Sequence, residues 1–166
     1  MKRTFLNALA LLALSFLINY QLSAQTTKTA LADYLAKPNP EFQFTLKDSV
    51  NHAGLTQYEL ELTSQEWKGM IWKHRLVILK PAKINSDKGL LYIGGGKIEE
   101  GLPVYRDRDD EIVKNMGKLA LQNQSMVALV FQVPNQPIFD GKSEDEIISY
   151  TLHQFQETGD LEWPAL

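Results

Sequence analysis

Hydrophobic and polar positions follow several different rhythms along the chain. Residues 5–18 are almost wholly apolar, broken only by Asn7 and Ser15, with Lys2 and Arg3 before them and Leu22-Ser23-Ala24 after. A cationic start, a short apolar run and a small residue before a cut form the pattern of an export signal over residues 1–24, with a mature chain from Gln25. The run falls short of the roughly 20 apolar residues that span a bilayer, and later runs are shorter still. A periplasmic or secreted protein without a membrane span after signal removal is therefore expected. A helix is expected over residues 29–36, where Ala30, Leu31, Tyr34 and Leu35 share one side and Lys37-Pro38 stops it. Phe42, Phe44 and Leu46 then alternate with polar residues, as do Tyr58, Leu60 and Leu62. This period of two predicts two half-exposed antiparallel strands joined by a turn through Asn51 to Gly54. Trp67-Lys68-Gly69 marks a further break.

The rhythm changes again after Trp72. Residues 76–79, 90–93 and 127–131 are short continuous apolar runs, the pattern of strands covered on both faces at the centre of an α/β sheet. A helix over 109–122, with Ile112, Val113, Met116, Leu119 and Ala120 as its apolar stripe, separates the last two. Strand, helix and strand in that order predict a right-handed parallel crossover. A second helix opens on Ser143-Glu144-Asp145-Glu146, a capping box in which the serine hydroxyl accepts a helix amide and Glu146 reaches back. Its expected buried side is Ile148, Leu152 and Phe155, and Gly159 ends it. Residues 25–166 are thus expected to form one incomplete α/β sheet: antiparallel strands first, then parallel βαβ units. The Trp163-Pro164 segment that follows has no partner strand.

Composition narrows the chemistry. The 166 residues carry 17 Lys and Arg against 20 Asp and Glu, and removing Lys2 and Arg3 with the signal leaves a balance of about −5. No nucleic-acid partner is indicated. Cysteine is absent, which excludes disulfides, thiolate ligands and a cysteine nucleophile. His52, His74 and His153 are scattered without paired spacing, and the acidic group Asp107, Asp109, Asp110 and Glu111 is read as a helix cap. No metal site and no cofactor are therefore assigned. Trp67, Trp72 and Trp163 are read as packing residues. Neither substrate nor ligand can be named.

The most informative local chemistry is Tyr92-Ile93-Gly94-Gly95-Gly96-Lys97, an apolar strand opening directly into three glycines. Consecutive glycines let a backbone turn sharply and aim free amides at an anion. A nucleotide loop is disfavoured, because Lys97 is followed by Ile98 instead of Ser or Thr. Two readings stay open: a tight turn, or an oxyanion loop at Gly94, Gly95 and Gly96 serving acyl transfer. No catalytic residue is assigned. Ser49, Ser64, Ser86, Ser125, Ser143 and Ser149 include no GxSxG, and Ser149 with His153 is read as helix surface or packing.

Several stretches in order carry a resemblance: Thr29-Ala30-Leu31-Ala32-Asp33-Tyr34, Trp72-Lys73-His74, Tyr92-Ile93-Gly94-Gly95-Gly96, Val133-Pro134-Asn135-Gln136-Pro137, Ser143-Glu144-Asp145 and Glu157-Thr158-Gly159-Asp160 before Trp163-Pro164. The chain resembles the N-terminal part of the PhoPQ-activated pathogenicity-related protein family. That resemblance implies an exported, virulence-related protein with an α/β-hydrolase-like fold. It also implies that relatives continue into a strand ending at a serine elbow, with an acid and a histidine later. The elbow strand would pair beside residues 89–93, so a chain truncated before it would leave that strand as an unprotected edge and be inactive alone. The alternative is a non-catalytic exported binding or interaction domain.

Overall fold

The computed structural model describes residues 32–105 and 110–163, so the expected signal lies outside the described residues. The described residues fall into two compact units, one within residues 39–147 and the other combining residues 32–38 with residues 148–163.

The larger unit is built on a five-stranded mixed sheet. Its strands are β1 (Gln43–His52), β2 (Leu55–Trp67), β3 (Met70–Pro81), β4 (Leu90–Ile93) and β7 (Val127–Val130), in the order β1-β2-β3-β7-β4. A small hairpin of β5 (Ile98–Glu99) and β6 (Leu102–Pro103) stands apart from it. The first three strands form an antiparallel meander through two-residue turns, with Ala53 and Gly54 at φ 50° and 83° and Lys68 and Gly69 at φ 51° and 75°. Both central residues have positive φ, the signature of the turn whose twist suits a hairpin. The meander is longer than the alternating segments alone predicted, because the polar stretch after Leu62 and the residues from Met70 to Arg75 continue the ladder.

Helix α1 (Glu111–Asn123) connects β4 to β7, and these two strands pair in parallel with Leu90 opposite Val127. One such unit is present among the described residues, where several were expected. Its helix begins where Asp110 Oδ1 accepts the Ile112 amide at 3.1 Å. The capping reading therefore holds for Asp110 and Glu111, while Asp107 and Asp109 lie outside the described residues. Val113 and Ala120 pack onto Val77, Leu79, Val127, Leu129 and Phe131, forming the core. A Cβ on Gly117 would come within 2.9 Å of Leu55 Cδ2, so this glycine sets how closely the helix approaches the sheet. Leu119, expected in the stripe, is exposed.

Strands covered on both faces are not what forms. Val77, Leu79, Val127 and Leu129 are buried under α1, whereas their neighbours Leu76, Ile78, Ala128 and Val130 on the opposite face are only half-buried. Leu91 and Ile93 are 58% and 60% exposed. Among the described residues of this unit a helix packs on one face, so the other apolar face stays partly open. Among the described residues, strand β4 lies at one end of the sheet.

The smaller unit contains a helical turn at residues 32–35 and the body of α2 (Asp145–Thr158). Ala36 donates its amide to the Ala32 carbonyl at 3.0 Å. Tyr150 meets Trp163 edge to face at 5.9 Å, and Lys37 pairs with Glu162. The buried stripe of α2 differs from the expected one: Ile147 and Thr151 are buried, while Ile148 and Leu152 are exposed. Thr151 can occupy a buried position because its hydroxyl donates to the Ile148 carbonyl at 2.9 Å. Half of the capping box forms, with the Ser143 amide donating to Glu146 Oε2 at 3.3 Å. Gly159 ends the helix at φ 67° and donates to the Phe155 carbonyl.

Candidate functional site

The triple glycine lies at the carboxyl end of β4, where the parallel pair opens. Gly94 extends the ladder, donating to the Val130 carbonyl at 2.8 Å and accepting from Val133 at 3.1 Å. The Gly95 carbonyl accepts from Gln132 at 3.3 Å. By contrast, the amides of Gly95, Gly96 and Lys97 donate to no acceptor among the described residues. Free amides in succession at a strand exit can stabilise an anion that develops during a reaction.

Steric contacts explain why glycine occupies this bend. A Cβ on Gly94 would lie 2.8 Å from Tyr92 Cε1 and 3.0 Å from Phe131 Cδ1. Gly96 has φ 156°, and a Cβ there would meet Gln132 Nε2 at 2.8 Å. Gly95 is the permissive member, with Glu144 Oε1 nearest at 3.8 Å.

The segment after β7 forms the facing wall, and three side-chain amides hold it. Gln132 accepts from the Arg75 amide at 2.8 Å through Oε1 and donates to the Val104 carbonyl at 3.1 Å through Nε2. Asn135 exchanges both bonds with the backbone of Lys73, at 2.8 and 2.9 Å, and also donates to the Gln132 carbonyl. Gln136 accepts from the Glu144 amide and donates to Glu144 Oε1 at 2.7 Å, while its carbonyl accepts from Ile98. These bonds give Val133-Pro134-Asn135-Gln136-Pro137 a physical role that the sequence alone left unassigned. The available signal was a cluster of amide side chains directly after an apolar strand, beside prolines that cannot donate. Beside the bend lies an open cavity of about 520 Å³ lined by Lys97, Ile98, Glu99, Gln136, Pro137, Ser143 and Glu144.

A second polar constellation went unforeseen. Ser64 Oγ lies 2.8 Å from His74 Nε2, and His74 Nδ1 lies 2.9 Å from the Phe131 carbonyl. A carbonyl only accepts, so Nδ1 carries the proton and Nε2 accepts from the serine. Burial pushes the His74 pKa down, partly offset by bonds to the backbone of Phe131 and Gln132. The pair has the donor order of a nucleophile and its base. However, it sits on β2 and β3, with β7 between it and the glycine strand, and His74 is buried. Next to it Arg75 forms a two-point bond to Glu59, at 2.9 and 2.8 Å, beneath Tyr105 and Phe131. Burial, then Glu61 and Glu59, raise the Tyr105 pKa, with Arg75 opposing.

Trp67 and Trp72 pack edge to face at 5.7 Å. No group of three or more potential metal ligands occurs among the described residues, and no described helix is long and apolar enough to cross a membrane.

No solved structure matches the chain. The autocrine proliferation repressor protein A of Dictyostelium discoideum is 32% identical over 153 residues, covering 86% of this chain and 30% of that protein. The chain thus spans about a third of the length of this curated relative. The sequence profile described as PhoPQ-activated pathogenicity-related protein matches residues 31–166, across the sheet, the glycine bend and its amide-stitched wall, and the chain belongs to that family.

Proposed function

We propose that this chain is the exported N-terminal portion of an α/β-hydrolase-like domain, acting outside the cytoplasm in the periplasm or the medium. In this reading Gly94, Gly95 and Gly96 shape the oxyanion loop for acyl transfer. The nucleophile comes from sequence outside the chain, which is therefore inactive alone. The observation that carries the proposal is the row of amides at Gly95, Gly96 and Lys97 that donate to no acceptor among the described residues, at the carboxyl end of a parallel strand. The lack of GxSxG around any serine supports a nucleophile outside these residues.

The test is a chimera in which this chain replaces the matching segment of the Dictyostelium protein, assayed on a p-nitrophenyl ester series. The chain alone is expected to give no turnover above a mock purification, and the chimera to give turnover. Gly95→Pro, which deletes one amide, should lower kcat about 10²- to 10³-fold, while Gly95→Ala should not. A folded but inactive chimera, or equal activity in both variants, would remove the hydrolase reading. The second reading, a non-catalytic exported interaction domain, is favoured by the relative's name as an autocrine proliferation repressor and by the open apolar sheet face. An inactive chimera that retains repressor activity would support it.

A further inference from the structure

We propose that Ser64 is a nucleophile in its own right, acylated once by activated carboxylic esters with His74 as its general base. The proposal goes beyond the hydrolase reading. It uses no part of the glycine bend, and every group in it lies between Asn39 and Gln132, within the larger unit.

The pair is built where the ladder between β2 and β3 is interrupted. Thr63 lies opposite Lys73 and Gln65 opposite Trp72, so Ser64 is the extra residue of a bulge. Bulges re-aim a side chain and recur beside active sites. Here the side-chain amide of Asn39 donates to the Ser64 carbonyl at 2.6 Å, and the Ser64 hydroxyl donates to His74 Nε2 at 2.8 Å. His74 Nδ1 is committed to the Phe131 carbonyl at 2.9 Å, which fixes the tautomer that leaves Nε2 basic. An imidazolium would donate more strongly to that carbonyl than the neutral ring does, the part an acidic residue plays in a catalytic triad. Beside the imidazole, at 6.4 Å between ring centroids, Trp72 holds a buried Nε1–H with no acceptor among the described residues, an unused donor next to the pair. Ser64 is only half-buried, whereas His74 is 3% exposed. The residue carrying the nucleophile reaches solvent while its base is shielded from it.

The step balances without a cofactor. As Ser64 Oγ attacks the ester carbonyl, its proton moves to His74 Nε2. The Oγ–C bond forms, the bond from the carbonyl carbon to the leaving oxygen breaks, and the proton passes from Nε2 to that oxygen. The products are acylated Ser64 and an alcohol. Removing the acyl group would require a water at Nε2, which burial of His74 denies, so the ester persists and no turnover follows.

The test incubates the full chain, expressed with its own N-terminal segment, with p-nitrophenyl acetate. One equivalent of nitrophenol per chain is expected, with one acetyl group on the peptide that carries Ser64. Hydroxylamine should remove that group, as it does an ester and not a lysine amide. Ser64→Ala should abolish the label and His74→Gln should slow it about 10²- to 10⁴-fold, each while still unfolding cooperatively in urea. Ser64→Cys gives a readout independent of ester chemistry, because the chain has no other cysteine. Iodoacetamide at about pH 6 should alkylate this variant at least about 10-fold faster than the same variant with His74→Gln. A folded chain unlabelled at Ser64, or one labelled equally fast with His74→Gln, would overturn the proposal. So would alkylation of Ser64→Cys at the same rate with and without His74. None of these results depends on turnover by the chimera, so the two proposals fail separately.

Discussion

Replacing Gly96 by alanine tests how the bend is held. The substitution places a Cβ at φ 156°, a conformation that side chains rarely adopt, and drives it to 2.8 Å from Gln132 Nε2, 3.1 Å from Cγ and 3.2 Å from Cδ. Gln132 cannot swing away freely. It is 2% exposed, and both ends of its amide are bonded, one to the Arg75 amide and one to the Val104 carbonyl. Backbone strain of about 1–3 kcal/mol combines with loss of two hydrogen bonds at a net of about 0.5–1.5 kcal/mol each. The expected destabilisation is about 3–4 kcal/mol, a large share of a domain's usual stability. Urea unfolding followed by the fluorescence of buried Trp67 and Trp72 measures it. Gly95→Ala is the internal control, expected within about 0.5 kcal/mol of the parent because its nearest contact would be 3.8 Å away. A Gly96→Ala protein as stable as the parent, or an equal loss in Gly95→Ala, would refute this account of the bend.

Other sites give independent expectations. Arg75 and Glu59 have side chains 3% and 10% exposed, so Glu59→Leu should cost about 3–5 kcal/mol by leaving the guanidinium unpaired. Glu59→Leu with Arg75→Met should recover most of that loss, and chemical denaturation of both variants decides it. His74 has a pKa below its ordinary value because it is buried. The unfolded chain therefore takes up a proton near pH 6.5 that the folded chain resists, so stability falls as pH drops below that point. Thermal unfolding of His74→Gln should fall less steeply over the same window, and an unchanged slope would exclude His74 as the cause. Asp110→Ala should cost about 1 kcal/mol through loss of the α1 cap, read as a lower Tm.

Legibility in the sequence followed how local the determining forces were. Alternation at Phe42, Phe44, Leu46, Tyr58, Leu60 and Leu62 announced an antiparallel pair, and its turn residues took positive φ. The apolar runs around Leu91 and Val127 announced a strand, helix and strand, and the two strands pair in parallel. What these runs could not reveal was coverage. A continuous apolar strand has the same sequence whether its second face is packed or open, and Leu91 and Ile93 lie on an open edge. The same ambiguity misassigned α2, where Ile147 and Ile148 are adjacent and the stripe turns by one residue. The glycine bend was visible because three glycines need a backbone reason. Its wall was not, since the bonds of Gln132 and Asn135 reach β3 across 57 and 62 residues of chain. The Ser64 and His74 pair was hidden for a similar reason, its two residues meeting only through the register of β2 on β3.

The oxyanion reading is tested most directly by a crystal structure of the active chimera with its serine captured by a phosphonate ester. The prediction is a phosphonyl oxygen about 2.7–3.1 Å from the amide nitrogen of Gly95 or Gly96, with the serine-bearing strand paired along β4. A phosphonyl oxygen held by donors elsewhere, with the glycine bend remote from the adduct, would contradict it.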